Sequence, residues 1–198
     1  FELGGALIED QLFFYGAYEK YNGADLNNRG AIGSGAVNEV PVTQAELDRI
    51  AQIARDVYGY EPGRTVSEAF DFDDEKYLIK LDWYASETQR LSMTYMYNDS
   101  FNFTASDGDL DEFEFDKHFY KRGAELTTYN INWYADWSEN FSTEVRYSYN
   151  EVDFLQASVS GGDFAEFRIE LDEVDVYLGQ DDSRQANDLD WEVEQLVA

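Results

Sequence analysis

Between Lys76 and Asn98 the chain reads KYLIKLDWYASETQRLSMTYMYN, two alternating runs joined by a short polar connection. In the first run Tyr77, Ile79, Leu81, Trp83 and Ala85 share one parity, and Lys80, Asp82, Tyr84 and Ser86 take the other. In the second, Leu91, Met93, Tyr95 and Tyr97 answer Ser92, Thr94, Met96 and Asn98. Successive strand side chains point to opposite faces, so a period of two held through both arms predicts an antiparallel hairpin with one apolar and one polar face. Glu87, Thr88 and Gln89 form its turn.

The pattern recurs. Phe1 to Ile8 and Leu12 to Asn22 flank the polar turn Glu9-Asp10-Gln11, although the second arm carries rings on both parities and its facing stays open. Thr127, Tyr129, Ile131, Trp133 and Ala135 alternate against Thr128, Asn130, Asn132, Tyr134 and Asp136. After a turn at Ser138 to Asn140, Phe141, Thr143, Val145, Tyr147 and Tyr149 alternate against Ser142, Glu144, Arg146, Ser148 and Asn150. Leu189, Trp191, Val193 and Val197 resume the pattern against Asp190, Glu192 and Glu194, which brings the count to about seven strands.

Three long insertions separate these hairpins: Gly23 to about Asp74, Phe101 to Arg122, and about Phe154 to Asp188. The first opens with a Gly/Asn-rich loop and then changes to helical period over Thr43 to Tyr58, with Leu47, Ile50, Ala54 and Val57 at three- and four-residue steps. Thr43 with Glu46 is a capping box, Gly59 stands at a left-handed C-terminal cap, and Pro62 follows. This predicts an amphipathic helix of about four turns packed on a surface loop. The third insertion holds FRIELDEVDVYL, alternating pieces suited to extend or cap a hairpin.

Loops longer than about 12 to 15 residues are uncommon in compact domains, yet here they fall at every second connection. Transmembrane barrels place short turns on the periplasmic side and long loops outside. Rings crowd beside the short turns (Phe13, Phe14, Trp83, Tyr84, Trp133, Tyr134, Trp137, Phe141) and again toward the long loops (Tyr18, Tyr21, Tyr95, Tyr97, Tyr147, Tyr149). Two such belts at the ends of strands about ten residues long suit a lipid–water interface. The expectation is an all-β fold, a fragment of an antiparallel up-and-down transmembrane β-barrel with long extracellular loops, one carrying the helix. The chain opens on FELGGALI and stops on WEVEQLVA, in mid-pattern at both ends, so residues 1–198 read as part of a barrel domain in a longer protein. The alternative is a soluble secreted β-sheet module whose exposed rings bind carbohydrate or a cell surface.

Composition narrows the partners. With 42 acidic and 14 basic residues and a net charge of -28, the chain has no basic patch for nucleic acid. It has no cysteine, which removes disulfides and thiolate ligands. Asp107, Asp109 and Asp111 have the opening spacing of a calcium loop, but Glu112 stands where the turn wants Gly and His118 where a bidentate Glu belongs. The three are candidate cation ligands in what reads as a solvated acidic loop. His118, the sole histidine, reads as an exposed loop residue, and no catalytic constellation, phosphate loop or cofactor motif is present.

FELGGALIEDQLFFYGAYE at the start, YGYEPG at Tyr58 to Gly63 and YLGQDDSRQANDLD at Tyr177 to Asp190 together resemble the barrel of TonB-dependent outer-membrane receptors, and most nearly their Oar-like group. In that group a Gly-Gly-Pro strand, a short charged turn and a Leu-Phe-Phe strand lead into a tyrosine-rich arm. Gly4, Gly5, Leu12, Phe13 and Phe14 match, with Ala6 where Pro is usual and Glu9 and Gln11 where Lys is common. Gly179, Asp182, Arg184, Asn187 and Leu189 match a later pattern, with Gln180 in place of Pro. The resemblance implies a non-enzymatic receptor and transporter in the Gram-negative outer membrane. It would be a barrel of about 22 strands around a plug, taking up a scarce extracellular ligand with energy from the TonB complex. The plug and its TonB-contacting box are not in this chain. Ile79, Leu81, Trp83, Met93, Tyr95, Ile131, Trp133, Val145 and Tyr147 would then face lipid, and Lys80, Asp82, Asn130, Asn132, Glu144 and Arg146 the lumen, held there by cross-strand ion pairs.

Overall fold

Alternating runs joined by tight turns pair with their neighbours in chain order, and the molecule is built on that ladder. The structure, a computed structural model, describes residues 1–65, 69–105, 109–162, 164–182 and 189–198. Its elements are β1 (Glu2–Ile8), β2 (Leu12–Leu26), β3 (Arg29–Gly30), β4 (Asn38–Glu39), α1 (Gln44–Tyr58), β5 (Ala69–Ser86), β6 (Gln89–Thr104), β7 (Glu112–Glu114), a 3-10 turn at Asp116–His118, β8 (Tyr120–Ser138), β9 (Phe141–Ser158), β10 (Phe167–Glu170), β11 (Asp175–Leu178) and β12 (Leu189–Val197). Strands make up 63% of it, which places the chain in the all-β class.

Seven strands form one antiparallel meander in the order β1-β2-β5-β6-β8-β9-β12, open at both edges. The inner strands run 15 to 19 residues, well beyond the expected ten or so. Beyond the rings the ladder continues through acidic or mixed stretches such as Ala69–Glu75 and Tyr120–Glu125, where apolar alternation stops but main-chain pairing does not. A ladder needs N–H and C=O groups, whatever the side chains.

The rest of the insertions fold together at one end. α1 starts at Thr43, whose hydroxyl accepts from Glu46 N while Glu46 Oε2 accepts from Thr43 N at 2.8 Å, and it stops at left-handed Gly59 (φ 65°). It buries Leu47, Ile50, Ala51 and Ala54, whereas Val57, expected on that face, is 68% exposed in the last turn. FRIELDEVDVYL forms the hairpin β10–β11, and β11 pairs in parallel with β7 from another insertion. We call this assembly the cap.

The hydrophobic core lies here and not on the sheet. Val40, Val42, Leu47, Phe115 and Val176 are fully buried, drawn from all three insertions. Tyr60 stacks on Phe164 at 3.9 Å, and Arg64 pairs with Asp116 at 2.6 Å, tying the first insertion to the third and second. Burying side chains of this size stabilises by about 1.5–3 kcal/mol each, which is what lets long connections hold one conformation.

Candidate functional site

Register decides which residues share a face. Ile79 pairs with Tyr95, and Tyr95 with Tyr129; Leu81, Met93, Ile131 and Tyr147 form the next row; Trp83, Leu91, Trp133 and Val145 the one after. All nine residues expected to face lipid therefore lie on one face. Lys80, Asp82, Asn130, Asn132, Glu144 and Arg146 lie together on the other. No second layer covers the first group: Ile79 is 52% exposed, Trp83 47% and Met93 42%. We call it the ring face.

The two ring sets are divided between faces. Tyr21, Phe13, Tyr84 and Tyr134 fall opposite the ring face, since Phe13 pairs with Asp82 and Tyr84 with Arg90, which pairs with Tyr134. Ion pairing on the polar face departs from the expected cross-strand scheme as well. Lys80–Asp82 (2.9 Å) and Arg146–Glu144 (2.6 Å) join residues two apart on one strand, because i and i+2 share a face. Among the described residues only Arg90–Asp82 (3.2 Å) crosses between strands there, with the Arg90 guanidinium 5.3 Å from the Tyr84 ring and 5.6 Å from the Tyr134 ring.

The short turns step steadily across the sheet. Leu12, first residue of β2, shares a row with Trp83, Leu91, Trp133 and Val145. From that row β5 runs three residues on to its turn at Ser86, and β8 runs five, to Ser138. Ile8, the end of β1, pairs with Leu12 in that row, so from Ile8 to Ser138 the line through the short turns drops five residues of about 3.3 Å over four strand spacings of about 4.8 Å, a tilt of about 40° from the rows.

Tyrosines step in the same direction. Tyr18, Tyr77 and Tyr97 stack in one row, with centroids 6.4 and 4.7 Å apart; Tyr95, Tyr129 and Tyr149 stack one row nearer the short turns, at 5.0 and 6.1 Å. Carboxylates end the apolar zone along a line that descends the same way. Glu75, Asp99 and Glu125 share a row, β9 begins one row lower at Glu151, and β12 lower again at Glu194, which pairs with Tyr149. On β12 the apolar Trp191 and Val193 consequently take the polar face, with Val152 and Asn150, and the acids Glu192 and Glu194 take the ring face.

In the cap, His118 is fully buried, which overturns its reading as an exposed loop residue. The 3-10 turn folds it inward under β11, where its ring lies 5.5 Å from that of Tyr177. Its Nδ1 is 3.1 Å from Gly179 O; a carbonyl only accepts, so Nδ1–H donates. Gly179 has φ 93°, and a side chain there would strike Ala165 O, so glycine is needed twice over. Gly63 (φ 94°) is fixed in the same way against Asp116. YGYEPG and YLG thus both contribute to the cap core: Tyr60 and Pro62 are buried from one, Tyr177 and Leu178 from the other. Periodicity carries no sign of this meeting; the clue in the sequence is isolated Gly next to Tyr inside long insertions.

Bonds from Thr43 hold the Glu46 carboxyl below the usual range, and Arg55, at 2.6 Å, does the same for Glu61. Burial, with the Glu112 carboxylate beside it, pushes the Tyr177 phenol up to about 12. Of the calcium-loop residues, Asp107 lies outside the described residues, as do Arg184 and Asn187. The Asp109 and Asp111 main chains are used structurally: Asp109 O accepts from Glu112 N and Asp111 O from Asp175 N, which seats β7 on β11.

On the strand extensions toward the cap end of the sheet, the polar face forms a groove of about 580 Å³. Ser100 and Ala124 floor it, Tyr21 and Phe72 wall one side with rings 5.4 Å apart, and Phe154 stands on the other. The tip of the Phe72 ring sits against Gly23, where any side chain would displace it. The sequence does not reveal this groove, because its strands run past the point where alternation ends. No helix among the described residues is long and apolar enough to cross a membrane, a test that does not bear on strands. No family model, no curated protein and no solved structure matches the chain.

Proposed function

We propose that residues 1–198 are part of the wall and outer loops of a β-barrel receptor in the Gram-negative outer membrane, a transporter that takes up an extracellular ligand. The observation that carries this is that the short turns, the tyrosine band and the first carboxylates all step the same way across the sheet, at about 40° for the turns. Strands in membrane barrels tilt by about 35–45°, and a flat interface then crosses the hydrogen-bonded rows diagonally. A sheet whose ring face meets a water–lipid boundary has cause to tilt three such lines the same way. A sheet bathed in water on that face has none.

Two further features support the reading. The ring face is large, apolar and uncovered, and such faces need a partner or a membrane. The long connections, all at one end, fold into a cap with its own core. Dependence on TonB rests on the resemblance of the three quoted stretches, with the plug outside residues 1–198.

The test is fractionation of the full-length protein expressed in a Gram-negative host, with heat-dependent gel mobility as the barrel readout. Recovery in the outer membrane with a compact unheated form is expected, along with ligand accumulation that stops when TonB is deleted. Recovery in the detergent-free soluble fraction overturns the membrane reading and favours the secreted module.

A further inference from the structure

Nearly every cation on the seven-stranded sheet has a partner. Lys20 bridges Asp73 and Glu75, Lys76 pairs with Asp74, Lys80 and Arg90 share Asp82, and Arg146 holds Glu144. Lys121 lies over the Phe101 ring at 3.6 Å. Arg122 is the exception: it lines the groove on the strand extensions and makes no ion pair or hydrogen bond among the described residues. In a chain with three acids for each base, a guanidinium left unpaired beside carboxylates is available to an anion from outside.

The opposite chemistry lies across the floor. Asp74 spends Oδ2 on Lys76 at 2.6 Å, while its Oδ1 is buried in the groove wall with no hydrogen-bond partner. A carboxylate oxygen without a donor is costly, and with the Asp74 side chain 27% exposed a rotation about its carboxyl would turn that oxygen to a ligand N–H or ammonium. Arg122 and Asp74 stand two strands and one row apart, so their Cα atoms are about 12 Å from each other. That span is a few residues of extended chain. Small Ser100 and Ala124 leave room between, and Phe72 and Phe154 offer apolar walls.

We infer that this groove binds a short zwitterionic peptide, its carboxylate on Arg122, its ammonium on Asp74 and an apolar or aromatic side chain against Phe72 or Phe154. A neutral sugar would leave the guanidinium unanswered, and a simple cation would be repelled by it. The inference rests on the receptor reading in one respect, by making the groove the vestibule for the ligand taken up.

The test measures calorimetric binding of Gly-Phe-Gly, its N-acetyl form and its C-terminal amide to the purified full chain in detergent. Free peptide is expected to bind about tenfold or more tighter than either blocked form, the usual weight of one charge-assisted contact. Arg122→Gln is expected to abolish the preference for a free carboxylate and keep that for a free amine. Asp74→Asn should do the reverse, so each variant's surviving preference certifies its fold. Equal binding of free and blocked peptides, no binding of the free peptide to the parent protein, or maltotriose competing at equal affinity overturns the inference. Fractionation is read separately: an outer-membrane protein that ignores the peptide sinks the ligand alone, and a soluble one that binds it sinks the receptor reading alone.

Discussion

The cap and the sheet solve the burial problem in opposite ways. The cap, drawn from three insertions, holds Val40, Val42, Leu47, Phe115, His118 and Val176 at zero exposure. The sheet, longer and more regular, leaves Ile79, Trp83 and Met93 about half open and buries little on either side. Regular hydrogen bonding therefore does not mark where this chain gains its apolar stabilisation. The irregular part is complete in water, while the regular part needs a second surface.

That contrast can be broken most forcefully in the cap. Phe115→Ala should remove about 3–5 kcal/mol from the cap alone. Amide exchange would then accelerate through α1 and β11 and leave the β5–β9 ladder protected. Simultaneous loss of protection in both would mean that cap and sheet are one cooperative unit.

Next comes the ring face. Ile131→Arg should cost about 2–4 kcal/mol in lipid vesicles if that face meets hydrocarbon, as read by reversible denaturant unfolding. Asn130→Arg, on the opposite face, should cost far less, and equal costs would erase the distinction between the faces.

A smaller effect tests how local the cap's order is. Thr43→Ala removes the hydroxyl half of the capping box and should cost about 1 kcal/mol, visible as faster exchange in the first turn of α1 and unchanged exchange in β5–β9. The mildest probe is alkali. Because Tyr177 ionises near pH 12 in the folded cap and at the ordinary value near 10 when unfolded, the unfolded state loses its proton first as pH rises. Its contribution is complete below about pH 10 and is lost on the way to about 12. Tyrosine absorbance should therefore report late ionisation of this phenol together with loosening of the cap, and full ionisation of all tyrosines by pH 11 with the cap intact would contradict its burial.

Much of the meander is legible in the residues, because alternation, turn chemistry and connection length all point one way. The capping box at Thr43 and the stop at Gly59 fix α1 almost to the residue. Less was legible where the pattern lapses. Nothing local says that Tyr60 meets Phe164, or that His118 turns under β11, since those contacts join residues 61 to 104 positions apart along the chain. Ring identity at Phe13 and Tyr21 likewise gives no facing until register is known. The groove combines both difficulties: its floor lies on strand extensions without alternation, and its walls come from strands far apart in sequence.

The slope of the sheet bears on one awkward residue. Glu194 occupies the same row as Ile79, which looks like a carboxylate placed among hydrocarbon. Along a row tilted about 40°, however, four strand spacings carry Glu194 about 12 Å nearer the cap than Ile79. Neighbours in hydrogen bonding are thus strangers in altitude. Depth in this sheet is read along contour lines that cut across the strands, and on such a map Glu194 stands at the shoreline with Glu151 and Glu125 while Ile79 lies under water.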